Sequence, residues 1–152
     1  MLFQRVNRSS PEKVFVAVYN SYSTAAITNG QGVNWDFITD IDGVSVTIPL
    51  ARATNQGFGA AGIVASASIA SGDYGLVQVY GYHSAVRVRS VTIGIPAIAK
   101  GSPLSMNAAG SVFCLESMAT HFTGIKIWPI AFALAANSSW TTLAKAAFIK
   151  AL

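Results

Sequence analysis

Three times this chain passes from an isoleucine over two residues to a glycine: Ile27-Thr-Asn-Gly30, Ile69-Ala-Ser-Gly72 and Ile98-Ala-Lys-Gly101. Glycine at a fixed distance after a bulky β-branched residue marks a turn that needs positive φ. Val33 and Leu104 follow three positions behind the first and third glycines, as the first apolar anchors of new strands. The middle copy continues through Asp73-Tyr74-Gly75 into Leu76-Val-Gln-Val-Tyr80, a run β-branched and aromatic enough to pleat. A chain that reuses one turn-into-strand device reads as all-β.

The rest of the sequence fills in that frame. Val14 to Asn20 is apolar on both faces, which suits a buried strand, although Ser9-Ser-Pro-Glu12 ahead of it offers a helical turn. Gly32 to Phe37, carrying Trp35, is the next strand. Asp40-Ile-Asp-Gly43 is a turn into Val44-Ser-Val-Thr-Ile48, where Val44, Val46 and Ile48 share one face. Gly62 to Ile69 resumes a strand. Gly81-Tyr-His-Ser84 reads as a hairpin loop, with Ala85 to Ile93 as the return strand and Arg87 and Arg89 on its solvated face. Asn107-Ala-Ala-Gly110 is a turn before a short strand from Val112 to Leu115, and residues 116–124 read as a loop. Ile125 to Leu134 is a strand bent by Pro129. The last segment is ambiguous: Lys145 to Leu152 holds good helix formers at near-helical spacing, while an all-β neighbourhood wants a closing strand. The division expected is an N-terminal arm over residues 1–12 and a single β domain over 13–152.

Composition separates classes of function. Of 152 residues 52% are hydrophobic and only 11% charged, against about 25% in an ordinary soluble domain. A surface so poor in charge is expected to be covered by other chains. The longest apolar run, Ile125 to Ala136, is interrupted by Lys126 and Pro129 and is shorter than a membrane span of about 20 residues. With no signal-peptide pattern at Met1 to Lys13, the expectation is a soluble chain made in the cytoplasm. The net charge of +4 comes from scattered groups rather than a basic stripe, so neither nucleic acid nor membrane is expected as a partner.

Catalytic chemistry finds little to work with. Two histidines, His83 and His121, one cysteine, Cys114, and six carboxylates show no nucleophile elbow and no phosphate loop. Cys114, between Phe113 and Leu115, reads as a small core residue. Asp36, Asp40 and Asp42 lack the spacing and terminal glutamate of a calcium loop, so they read as turn residues. No catalytic residue, metal or cofactor is assigned, and the chain reads as a structural or interaction protein. Such a protein must hide its strand edges, and symmetric oligomers are one way to do so. Trp35, Tyr74, Tyr80 and Tyr82 leave open a different class, a β-sandwich module that stacks on sugars or receptors.

The run Gly72-Asp-Tyr-Gly-Leu-Val-Gln-Val-Tyr-Gly81 resembles a pattern in the head-decoration, or capsid cement, proteins of tailed bacteriophages. So do Pro-Glu-Lys-Val-Phe-Val at residues 11–16, Asn20-Ser-Tyr-Ser-Thr-Ala, Asn29-Gly-Gln-Gly-Val-Asn-Trp-Asp36 and the Ala-Phe-Ile-Lys-Ala-Leu end. The resemblance implies a compact β-barrel or sandwich that forms homotrimers on the outer surface of the virion head and clamps the major capsid protein. It also implies a strand at the C-terminus. Phe3, Arg5 and Arg8 in the arm are the candidate capsid contacts.

Overall fold

The strand order closes on itself twice. The computed structural model describes residues 12–40, 43–49, 59–89, 98–109, 112–117, 129–137 and 141–151, with only the backbone described at 107–109 and 112–117. Among these residues there are eleven strands and no helix. They are β1 (Lys13–Asn20), β2 (Ile27–Thr28), β3 (Gly32–Trp35), β4 (Ser45–Thr47), β5 (Ala60–Val64), β6 (Ser68–Ile69), β7 (Tyr74–Val88), β8 (Pro103–Ala109), β9 (Val112–Ser117), β10 (Ala131–Ala133) and β11 (Leu143–Lys150). Nine form one sheet in the order β1-β4-β3-β5-β7-β11-β10-β8-β9, with β1 also pairing β7 and β7 also pairing β9. The result is two five-membered rings, β1-β4-β3-β5-β7 and β7-β11-β10-β8-β9, that share β7. Each ring has its own core. Val18, Val33, Val46, Val64, Val77 and Val79 fill the first, and Val86, Val88, Leu104, Ala131, Ala147 and Ile149 belong to the second. The all-β barrel-like class expected from the sequence is the class observed.

The repeated Ile-x-x-Gly cadence is one turn built three times. Gln31 N donates to Thr28 O, Asp73 N to Ala70 O and Ser102 N to Ala99 O, each at 3.1 Å. The glycine in each stands at the third turn position with φ of 79°, 83° and 88°, the conformation that a type II turn demands there. Ile27, Ile69 and Ile98 are fully buried, as are Val33 and Leu104. Each copy therefore plants an isoleucine in the interior, reverses the chain, and starts afresh. Two of the copies separate the strain of positive φ from the cost of steric overlap. A β-carbon at Gly101 would meet nothing within 4 Å, whereas at Gly30 it would overlap the carbonyl of Ala85 on β7. Gly101→Ala is expected to cost about 1–2 kcal/mol from φ alone. Gly30→Ala should cost about 1–3 kcal/mol beyond that, because β7 must move away. Urea unfolding of the two variants checks the difference.

The long strand β7 is where sequence reading and structure part. Gly81 to Ser84 is not a hairpin loop, because β7 runs through it without reversing for 15 residues. Gly81 instead marks a handover. Up to it β7 pairs with β1 (Tyr19↔Tyr74 through Lys13↔Gly81), and from Tyr80 onward with β11 (Lys150↔Tyr80 through Leu143↔Val88). Its φ of 100° lets β1 cross so close that a β-carbon there would overlap the carbonyl of Glu12. The glycine is needed for a crossing rather than for a turn.

Smaller differences follow the same logic. The polar stretch after β1 ends in β2, which pairs with β6 through Ile27↔Ile69. The hairpin after β8 is tighter than read, because β8 continues to Ala109, which faces Val112. Strand β9 extends to Ser117; of the strand expected over Ile125 to Leu134, residues 125–128 lie outside the described residues and β10 spans Ala131–Ala133. The C-terminal segment is strand β11, antiparallel to both β7 and β10. Its helical propensity yields because Ala147 and Ile149 gain complete burial only as alternate residues of a strand.

Candidate functional site: an exposed apolar strip

With each ring closed and its interior filled by its own core, the outer face of the β1–β7 ladder is the surface to read for recognition. In the β1–β7 ladder Phe15 opposes Gln78, Ala17 opposes Leu76 and Tyr19 opposes Tyr74. Directly opposed residues share one face of a sheet. On that face Phe15 is 43% exposed, Leu76 46% and Tyr74 71%, while Val16, Val18 and Val77 between them turn inward. The Tyr19 and Tyr74 rings lie 5.2 Å apart at an interplanar angle of 57°. A bulge between Val14 and Phe15 shifts the register so that Val14 opposes Tyr80, whose ring stacks edge-on against Phe148 at 5.1 Å. Lys13 Nζ lies 6.0 Å from the Tyr82 ring centroid, at the edge of cation–π range.

The strip is stiff beneath. Gln78 sits in its middle yet is 1% exposed, because its Nε2 donates to the carbonyls of Tyr80 and Tyr82, each at 3.1 Å. The sequence suggests Gln78 and Tyr80 as residues facing a neighbouring layer or subunit; Gln78 is instead consumed within its own strand. Val77 and Val79, which alternation along the Leu76–Tyr80 run makes core candidates, are core residues. Asn20, fully buried at the far end of β1, donates to Ile69 O at 2.9 Å and accepts from Tyr22 N at 3.0 Å. That bond ties β1 to the turn from which β7 emerges.

A second apolar projection stands on the turn after β3. Phe37 is exposed, and Ile38 is 83% exposed. Asp36 holds this turn: its carboxylate accepts from Ser21 Oγ at 2.7 Å, Ile38 N at 3.1 Å and Thr39 N at 3.2 Å, and also from Thr39 Oγ1. Burial pushes the Asp36 carboxyl up, but these hydrogen bonds outweigh it and hold the group below its ordinary 3.8. Asp40 accepts from Val44 N at 3.2 Å and Ser45 N at 2.7 Å. Both carboxylates are thus engaged in turns, the role read from the sequence. Val44, placed on a buried face in that reading, is 40% exposed, while Val46 is in the core and Ile48 packs against it.

The remaining candidates fall as follows. Phe3, Arg5, Arg8, Asp42 and His121 lie outside the described residues, and Cys114 is described only as backbone of β9. Arg87 departs from its solvated reading, since its Nη2 donates to Thr28 Oγ1 at 2.8 Å. Trp35 packs against the first core, and Tyr74 is the most exposed of the four aromatics considered for stacking. Among the described residues no three His, Cys, Asp or Glu converge as metal ligands, and no helix is long and apolar enough to cross a membrane. The apolar strip itself eluded sequence reading. The alternation of β1 was masked because both of its faces are apolar.

No family model matches this chain, and no characterised relative matches its sequence. The head fiber gp8.5 N base of bacteriophage phi29 is similar in its chain path, with a TM-score of 0.45 and 12% identity over 92% of this chain and 96% of that one. Likeness at that level leaves the role of this chain open.

Proposed function

We propose that this chain is a structural virion protein, a capsid decoration or cement protein that binds as a homotrimer on the outer phage head and stabilises the major capsid lattice. The observation that carries the reading is the apolar strip of Phe15, Leu76 and Tyr74 on a closed, charge-poor β scaffold. Both rings are closed by ladder pairing, so the reading places contact with other chains on the side-chain face of the β1–β7 ladder. The sequence resemblance of the 72–81 run, which builds half of that face, supports the same reading. Cementing would then act by linkage. A protein that binds only the finished lattice stabilises it by about 2.7 kcal/mol per site at a hundredfold excess over Kd, and a trimer engaging several subunits gains further through effective concentration.

Light scattering of the pure protein at micromolar concentration tests this. About three times the 15.9 kDa chain mass is expected, together with binding to heads that lack the protein. A monomer that ignores such heads would overturn the proposal, and closed shells formed by the protein alone would make it a major coat or fibre component instead. The Tyr19–Tyr74 pair, in which Tyr74 is exposed and Tyr19 half-buried, favours one further reading, a glycan- or receptor-binding module. A glycan-array signal lost in Tyr74→Ala would decide for it.

A further inference from the structure

The two rings meet at a buried histidine. His83 lies two residues beyond Gly81, opposite Ala147 of β11, and is buried. Just past it the β7–β11 ladder slips: Lys145 opposes Val86 but Ala147 opposes His83, so Ser84 and Ala85 share a single residue across the ladder. That is a β-bulge, and its amide is not left to the partner strand. Ala85 N donates to His83 Nδ1 at 3.1 Å, while the backbone of Val64 on β5 hydrogen-bonds the imidazole. An Nδ1 that accepts leaves the ring proton on Nε2, so the imidazole is neutral.

The neighbouring bonds make this a seam. Val64 O also accepts from Gly30 N at 2.9 Å, and Gly30 O accepts from Arg87 N at 2.9 Å. From His83 through Val64 and Gly30 to Arg87, one chain of hydrogen bonds joins the first ring's β5 and turn to the second half of β7. The charged groups around it are Lys13 on β1, Arg87 further along β7, Lys145 on β11, and Glu12 where β1 begins, its carbonyl against Gly81. Lys13 acts directly on the imidazole and disfavours a second positive charge there.

We propose that His83 is an acid-operated latch on the seam between the two rings: the neutral imidazole fastens the β7 bulge to β5, and protonation releases it. A proton on Nδ1 turns the acceptor into a donor facing the Ala85 N–H, and that bond is lost. The new cation sits in a buried site already near Lys13 and keeps its bond to the Val64 backbone, so what opens is the bulge at Ala85 rather than either core. Burial holds the imidazole below its ordinary 6.5, and the Lys13 charge adds to that, against the bond the ring donates to the Val64 backbone. The folded chain therefore resists protonation until the solution is more acid than that value.

Amide hydrogen exchange of the full chain, followed from pH 7.5 downward through the His83 ring titration seen by NMR and corrected for the intrinsic pH dependence, reads the latch directly. Protection at Ala85 is expected to fall at least tenfold once the ring has titrated, relative to Val18 and Val77 in the first ring. In His83→Asn, whose amide oxygen cannot be protonated in this range, that selective loss should vanish. Should the variant not fold, the wild-type ring is titrated by NMR, and the loss at Ala85 must follow the His83 titration. Retained Ala85 protection after the ring has titrated would overturn the latch, and so would a loss spread evenly over both rings.

Discussion

Gly81→Ala is expected to unfold at markedly lower denaturant than the natural chain, with a loss of about 3–5 kcal/mol. Two costs combine there. An alanine at φ 100° pays the steric penalty of positive φ, about 1–2 kcal/mol. Its β-carbon would also overlap the carbonyl of Glu12 and stand 3.2 Å from Lys13 Cα, and both are backbone atoms that no side-chain rotation relieves. Gly81 is also the point at which β1 and β11 both flank β7, so a shift of either strand is felt in both rings. Gly43→Ala is the control: φ is 73° there, but nothing lies within 4 Å, and a loss of only about 1 kcal/mol is expected. Equilibrium urea unfolding of the three proteins settles it. Equal midpoints for the two variants would mean that the close crossing at Gly81 carries no weight.

Placing a lysine in the apolar strip is expected to abolish self-association while leaving the fold intact. Phe15 and Leu76 are each a little under half exposed, so each adds about 1 kcal/mol when a neighbour covers it, half the value for full burial. In a closed symmetric trimer that contribution recurs at every interface. A lysine there must instead shed its water without a partner, which costs several kcal/mol. In the isolated chain the same lysine stays in water, so the cost to folding should be under about 1 kcal/mol. Phe15→Lys and Leu76→Lys, made singly, should therefore lower the scattering mass from about three chains toward 15.9 kDa, with the circular dichroism of the folded chain retained. Lysine at Leu143, an exposed apolar residue of β11 outside the strip, should leave the mass as it was. If all three behave alike, the strip is not the contact surface.

Acid adds a different signature. His83 binds its proton less readily in the folded chain than in the unfolded one, where the ordinary 6.5 applies. Below that value the unfolded chain takes up more protons, so stability is fully present above pH 6.5 and declines as pH falls, until the folded-state value is passed. Asp36, held below 3.8, adds a second decline in still stronger acid. Unfolding midpoints measured from pH 8 to pH 3 should fall in two steps, and His83→Asn should remove the first.

The amino-acid sequence by itself determined the class of fold and where its turns lie. Isoleucine, two residues and glycine is a local instruction, because a type II turn needs positive φ at its third position and a β-branched anchor buries beside it. Ile27, Ile69 and Ile98 obey it without reference to distant strands. Val77 and Val79 were legible for the same reason, since alternation within one strand is local. What only the tertiary structure decided is what a glycine is for when two uses fit it equally well. Gly81, followed by Tyr82-His83-Ser84, satisfies a hairpin as readily as a crossing, and the choice was made by Glu12, some 70 residues away. Gln78 is polar by composition yet buried, because carbonyls two and four residues ahead receive its amide. Phe15 and Leu76 are apolar yet exposed, because β1 and β7 closed a ring whose interior was already full. Sidedness of that kind belongs to the ring and not to the strand, and it is the sidedness that leaves an apolar face for another chain.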